Sequence, residues 1–173
     1  MVLAAAVILG AVTAFYFLFF FFFPLGRGAV YFPSSRAHTS AMVELADPRH
    51  GEKAVDLGSG DGRVVIALAR AGAEAHGFEI NPALVLLSRW NVRRSGLARQ
   101  ARIHWGSFWR ADLSPFHVVT VFQGGFVMRR LERKVLKELR PEARLVSDYW
   151  GLPNLKPQSL SGTLFLYRVS DTR

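Results

Sequence analysis

"AVDLGSGDGRVVIALA", residues 54–69, decides how the rest of this chain is read. Gly58, Gly60 and Gly62 recur at every second position, directly after an apolar run that holds Asp56. The residues after Gly62 take helical spacing, so the stretch reads as a strand, a tight turn and a helix. A glycine costs up to about 1 kcal/mol of backbone entropy relative to Ala. A turn by itself needs one or two, so three within five residues point to a backbone that must come close to a ligand.

What the stretch lacks narrows the ligand. A phosphate loop needs G-x-x-x-x-G-K-[ST], and no Lys-Ser or Lys-Thr follows these glycines. A dinucleotide turn begun at Gly58 needs its third glycine at position 63, which is Arg63. The pattern is instead D-x-G-x-G-x-G. A carboxylate at the strand end repels phosphate and attracts a cationic amino acid. S-adenosylmethionine, with a sulfonium, an ammonium and no phosphate, meets that description. The helix that follows offers free N–H groups at its first turn.

Outward from the glycines the chain alternates. "AEAHGFEI" is a second strand, and it places Glu79 about 20 residues past the loop, where a carboxylate accepts both hydroxyls of a ribose. "PALVLLSRWNVRRSG" is a second helix, with Pro82 in its first turn and Gly96 after its end. "ARIHWG" is a third strand. Ser107 follows it, at a position suited to the edge of an adenine, with Trp105, Phe108 and Trp109 around it. "FHVVTVFQGG" is a fourth strand, "MRRLERKVLKELRP" an amphipathic helix, "ARLVSDYW" a fifth strand, and "SGTLFLYRV" a last strand that enters antiparallel after a short connection. The expected fold is α/β, a Rossmann-like, mostly parallel sheet with helices on both faces. Its ligand lies at the carboxyl ends of the strands.

The amino-terminal end reads differently. The first charged residue is Arg27, and Val2 to Phe23 is nearly all apolar. Such a run is long enough for one transmembrane helix of roughly 30 Å. A cleavable signal peptide would open on basic residues and end on small ones. Arg27 and Arg36 then place the following domain on the cytoplasmic side of a single-pass membrane protein, with the N-terminus outside. The expected division is an anchor over 1–26, a linker with a short helix from Ser40 to Ala46 over 27–46, and a catalytic domain over 47–173. The net charge of +9 suits an anionic membrane surface. Nucleic acid, the other partner such a charge suits, is not expected. The chain has no cysteine, and His38, His50, His76, His104 and His117 are scattered without metal-ligand spacing, so no metal site is expected.

These residues resemble a class I S-adenosylmethionine-dependent methyltransferase. Within that class the chain is similar to the membrane-anchored lysine methyltransferases that include the mitochondrial enzymes for the ATP synthase c-ring protein and the adenine nucleotide translocase, with their bacterial relatives. The likeness runs from about Phe32 to Pro157. It rests on "VDLGSGDGRVVIALA" and "GFEINPALVLLSRW", with Phe108-Trp109, "VVTVF" and "YWGLPNLKP" in support. The resemblance implies that Asp56, Gly58, Gly60 and Glu79 bind the cofactor and that Asn81-Pro82 shapes its edge. With Ser59, Gly62 and Ser107 they make up the expected cofactor site. It implies methyl transfer to a lysine of a membrane-associated protein. Two other readings stand beside it: methylation of a small or lipid-soluble molecule, and a membrane-anchored binding module without turnover. Where the family has a G-x-P turn after the fourth strand, this chain has Gln123-Gly124-Gly125. No catalytic base is evident. Gln123 and Asp148 end strands on the active face and are candidates for orienting an acceptor. Arg93, Arg94, Arg129, Arg130, Arg133 and Lys134 form basic helix faces suited to lipid phosphate or to water.

Overall fold

Strand β1 (Lys53–Leu57) runs through the middle of the sheet and carries the glycine turn at its carboxyl end. The computed structural model describes residues 6–14 and 35–169. Over the latter the elements are α1 (Arg36–Ala46), β1, α2 (Arg63–Arg70), β2 (Glu74–Glu79), α3 (Pro82–Arg94), β3 (Ala101–Trp105), β4 (Val118–Val121), α4 (Gly125–Glu138), β5 (Arg144–Asp148), β6 (Ser159–Ser161) and β7 (Leu164–Arg168). Among the described residues the strands form one sheet in the order β3-β2-β1-β4-β5-β7-β6. β3 to β5 are mutually parallel, and β7 enters antiparallel to β5, pairing Asp148 with Leu164. Strand order reverses between β1 and β4. That reversal opens a crevice at their carboxyl ends, where ligands bind in open α/β sheets.

Alternation along the strands sorts the core onto two faces. Met42 of α1, Val65 and Leu68 of α2, and Val85 and Val92 of α3 pack with Ala54, Val118 and Val146 on one side. Met128, Leu131 and Val135 of α4 pack with Val55, Val119 and Leu145 on the other. Helices therefore cover both faces, three on one and one on the other.

Local chemistry sets where the helices begin. The Asn81 side chain accepts from the Ala83 N–H at 3.0 Å, and Pro82 fills the first position of α3. Ser35 does the same for α1, its hydroxyl accepting from the His38 N–H at 3.1 Å. That cap starts the helix four residues ahead of the apolar pattern beginning at Ser40. α4 likewise starts at Gly125, ahead of the amphipathic pattern from Met128.

The expected single-pass anchor needs correction. Among the described residues no helix is long and apolar enough to cross a membrane. Residues 6–14 are helical. The remainder of Val2–Phe23 lies outside the described residues. The placement in a membrane with a cytoplasmic domain, and attachment through residues 2–23, fall with the anchor. Contacts within the chain divide it into two units, Met1–Val30 and Tyr31–Arg173. The second contains the whole sheet and α1.

Candidate active site

Three strand tips are laced together by backbone bonds. The N–H groups of Gly58 and Ser59 both donate to the Phe78 carbonyl, at 2.9 and 3.0 Å, which folds the loop after β1 onto the end of β2. The Gly106 N–H donates to the Glu79 carbonyl at 2.9 Å, bringing the tip of β3 alongside. Gly58, Gly60 and Gly62 take φ of +90°, +53° and +83°, the left-handed region that side chains resist. Two of them also lack room. A Cβ at Gly58 would overlap the Gln123 amide, and one at Gly62 would stand 2.9 Å from Ser88 Cβ.

Glu79 is the node of this lacework. One carboxylate oxygen accepts from the Gly60 N–H at 2.9 Å and the other from the Asn81 N–H at 2.7 Å. The side chain thus ties the glycine loop to the start of α3. Burial raises its pKa, against the backbone N–H bonds that favour the anion. Asp56 lies deeper, 5% exposed, and accepts from the Thr120 hydroxyl at 2.8 Å. Burial pushes its carboxyl up to about 7; the Thr120 bond opposes this, and the negative charges of Glu79 and Asp61 add to it. The site therefore concentrates acidic groups whose ionisation a cation would favour.

The tips of β4 and β5 are made of other material. Gln123 Nε2 reaches the Leu57 carbonyl at 3.4 Å and lies across Gly58. Gly124 and Gly125 leave their backbone bare beneath the rings of Phe126 and Trp150: a Cβ at either would stand 2.6 Å from one of them. Tyr149 holds a left-handed φ of +64° and stacks on Phe122 with ring centroids 5.9 Å apart. Phe126, Tyr149 and Trp150 are 75%, 56% and 52% exposed, an aromatic rim around the mouth. The glycine pair standing in place of a G-x-P turn is thus explained by the rings that lie on it.

The structure brings Asp56, Gly58, Ser59, Gly60, Gly62, Glu79 and Asn81 together at the tips of β1 and β2. Ser59 is buried, with a hydroxyl that makes no hydrogen bond, and Asn81 is buried by its capping role. Ser107 sits at the start of the 3-10 turn Phe108–Arg110 and does not cap it. Trp105 is 67% exposed and donates to the Ile80 carbonyl at 3.2 Å. Trp109 instead faces α4, under the Arg130 guanidinium at 4.2 Å. Two partners escaped the sequence reading. Thr120 is hidden inside an apolar strand; its register opposite Asp56 is the only signal, and that needs the pairing of β1 with β4. Asn91, on α3, donates to the Asp61 carbonyl at 2.9 Å and braces the loop from a distant part of the chain.

The donor set fits S-adenosylmethionine. A carboxylate has four acceptor positions, so Glu79 can hold the Gly60 and Asn81 N–H groups and still accept from a ribose. The left-handed φ at Gly58 and Gly60 keeps the loop free of side chains at both positions.

Comparison with known proteins agrees. Residues 56–159 match the family described as the ANTKMT methyltransferase domain. The chain is 37% identical over 140 residues to the mouse adenine nucleotide translocase lysine N-methyltransferase, covering 80% of this chain and 61% of that protein. It is 30% identical over 151 residues to a protein-lysine N-methyltransferase of Saccharolobus islandicus, covering 82% and 94%. A crystal structure described as an RNA methyltransferase from Salinibacter ruber, in complex with S-adenosyl-L-homocysteine, superposes with a TM-score of 0.77 at 32% identity, covering 81% of this chain and 95% of that one. The chain spans less than two thirds of the mouse relative's length.

Proposed function

This chain belongs to the ANTKMT methyltransferase domain family, and from that premise we propose that it moves the methyl group of S-adenosylmethionine to a lysine side chain of a protein. Gly58, Ser59, Gly60 and Gly62 lie along the methyl donor, Glu79 takes the ribose hydroxyls, and Asn81 and Ser107 border the base. Asp56 backs the loop and, once ionised, favours the cationic donor. When bound, the donor supplies a methyl electrophile on a positively charged sulfur. The protein's share of the work is to align a neutral nitrogen with that methyl and to exclude water around it.

The observation that carries the lysine reading is the aromatic rim of Phe126, Tyr149 and Trp150 beside the donor seat. Ring faces hold an alkyl stem and attract an ammonium, and an open mouth admits a polypeptide. The names of the mouse and Saccharolobus relatives support the same acceptor. The finer reading, a lysine on a membrane-associated protein, draws its support from the mouse relative, which is named for the adenine nucleotide translocase. RNA is a second reading, favoured by the description of the Salinibacter structure and by the net charge of +9.

Labelled S-adenosylmethionine, incubated with the protein and with separated membrane and soluble cell fractions, tests these readings together. Acid hydrolysis followed by amino-acid analysis should recover the label as methyl-lysine, and the Glu79→Ala variant should yield none. Label recovered in nucleotides favours RNA, and label in lipid or small molecules favours a low-molecular-weight acceptor. Donor binding without any transfer points to a binding module.

A further inference from the structure

Behind the aromatic rim lies a carboxylate whose surroundings are incomplete. Asp148, the last residue of β5, is 1% exposed. Its Oδ1 accepts from the Thr163 hydroxyl at 2.7 Å, whereas Oδ2 makes no hydrogen bond. A buried carboxylate oxygen left unpaired is costly and rare. His38 Nδ1 stands 3.4 Å from Oδ2: within ion-pair distance, though short of hydrogen-bond geometry. The His38 side chain is 41% exposed, so the imidazole has its back to the carboxylate and its other side open. Tyr149 meets it edge-on at 6.3 Å and stacks in turn on Phe122, the residue before Gln123. β4 separates β5 from β1, so the tip of β5 stands about 10 Å, two strand spacings, from the tip of β1 that carries the glycine loop.

We propose that His38 and Asp148 are a dyad at the acceptor mouth, in which His38 accepts the proton of the lysine ammonium and Asp148 holds the imidazole with its own proton on Nδ1. The proposal rests on the lysine reading above. A lysine with an ordinary pKa near 10.4 arrives protonated and has no lone pair to offer. One proton passes from the ammonium to His38 Nε2. The freed lone pair forms the N–C bond as the C–S bond breaks, and the electron pair of that bond stays on sulfur. The methylated nitrogen takes over the positive charge that sulfur loses, and the imidazolium then returns its proton to water. Nothing is oxidised or reduced. His38 is the catalytic residue of the pair and Asp148 positions it. The loose 3.4 Å approach suits a pair that tightens when the acceptor arrives.

Three of the other charged groups near α1 are engaged elsewhere. The elements packed against it are α2, β4, β5 and β7, and their ionisable groups are Arg63, Arg70, Arg144, Asp148, Tyr167 and Arg168. Arg144 binds the Asp47 carbonyl and Glu52, at the opposite end of α1. Arg168 pairs with Glu142 and Arg63 with Asp61, while the Tyr167 hydroxyl takes the Leu152 N–H. α1 itself also carries Arg36 and Glu44.

Three measurements test the dyad, using the full chain with labelled S-adenosylmethionine and cell-extract protein and reading out methyl-lysine. His38→Gln should lower the rate about 100-fold or more near neutral pH, with donor affinity and melting temperature unchanged. The deficit should shrink as pH approaches 10, where lysine loses its proton unaided; a merely structural role would leave it constant. Nitrogen NMR should find the His38 proton on Nδ1, and Asp148→Asn should abolish that preference and cost about 10-fold or more in rate. Should Asp148→Asn fail to fold, His38→Gln decides alone. A His38→Gln rate and pH profile equal to wild type overturns the dyad while lysine methylation stands. A wild-type protein that puts no label on lysine overturns the lysine reading and the dyad with it.

Discussion

The tips of β1 and β2 and the tips of β4 and β5 share one edge of one sheet, yet they are finished differently. At β1–β2 the backbone is drawn inward: the Gly58, Gly60 and Gly62 N–H groups go to the Phe78 carbonyl, the Glu79 carboxylate and the Ser59 carbonyl, and the carboxylates of Asp56 and Glu79 are buried with partners. At β4–β5 the rings of Phe126, Tyr149 and Trp150 face out, a non-glycine residue holds a left-handed conformation, and a buried carboxylate oxygen goes unpaired. A seat for an invariant cofactor can be closed by backbone, which every sequence possesses. On the proposed function, the mouth for the acceptor has to stay open, so it is edged by exposed rings.

The most tightly bonded point of the two edges is the Glu79 carboxylate. Glu79→Ala removes the proposed ribose acceptor and orphans the Gly60 and Asn81 N–H groups. Calorimetry should show S-adenosylmethionine affinity lowered about 100-fold or more, because bonds to a charged group contribute about 1.5–3 kcal/mol each. Retained affinity would remove Glu79 from the site. Next come two glycines. Gly62→Ala meets both a φ of +83° and Ser88, and should cost about 2 kcal/mol of stability in urea unfolding. Gly125→Ala meets only the ring of Trp150, which is exposed and able to swing away, so its cost should stay under about 1 kcal/mol. Equal costs would mean that the two edges are equally rigid.

A third test uses pH. The Asp56 carboxyl is raised by burial from 3.8 to about 7, so the folded state binds a proton there that the unfolded chain has already released. Its contribution to stability is complete below about pH 4 and disappears as pH rises through 7. Asp56→Asn should therefore melt progressively higher than wild type between pH 5 and about 8, as charge burial ceases to matter. Donor affinity should rise through pH 7 in the wild type and stay flat in the variant; a flat wild-type curve would mean that the charge of Asp56 plays no part in binding. Smaller still, Trp150→Ala should raise the acceptor KM by about 3- to 10-fold through the lost ring face, leaving donor affinity unmoved. A shift in donor affinity would place Trp150 in the wrong half of the site. Ser107→Ala should alter donor affinity by about twofold at most, since its hydroxyl caps nothing and offers at best one neutral bond.

The glycine loop and its junction with Glu79 and Asn81, the proposed donor seat, were legible from the chain alone because their devices are local. Three glycines, an acidic residue on each of two strands, and Asn81-Pro82 lie within about 27 residues, and each imposes its geometry on its own neighbours. The strand-helix alternation, the antiparallel last strand and helices on both faces were legible for the same reason: periodicity is a property of short windows. The apolar run near the N-terminus shows the limit of such windows. Composition suggested a membrane span, and no described helix has the length for one.

The chain by itself determined the class of fold, the glycine turn and the acidic residue that meets it, because each follows from what a residue can do with the few beside it. Only the tertiary structure set Thr120 against Asp56 and His38 against Asp148. Those pairs lie 64 and 110 positions apart and meet only because parallel pairing lines up the carboxyl ends of β1, β4 and β5 and α1 packs beside them. A contact across such a separation leaves no trace in local spacing; it comes into being with the sheet.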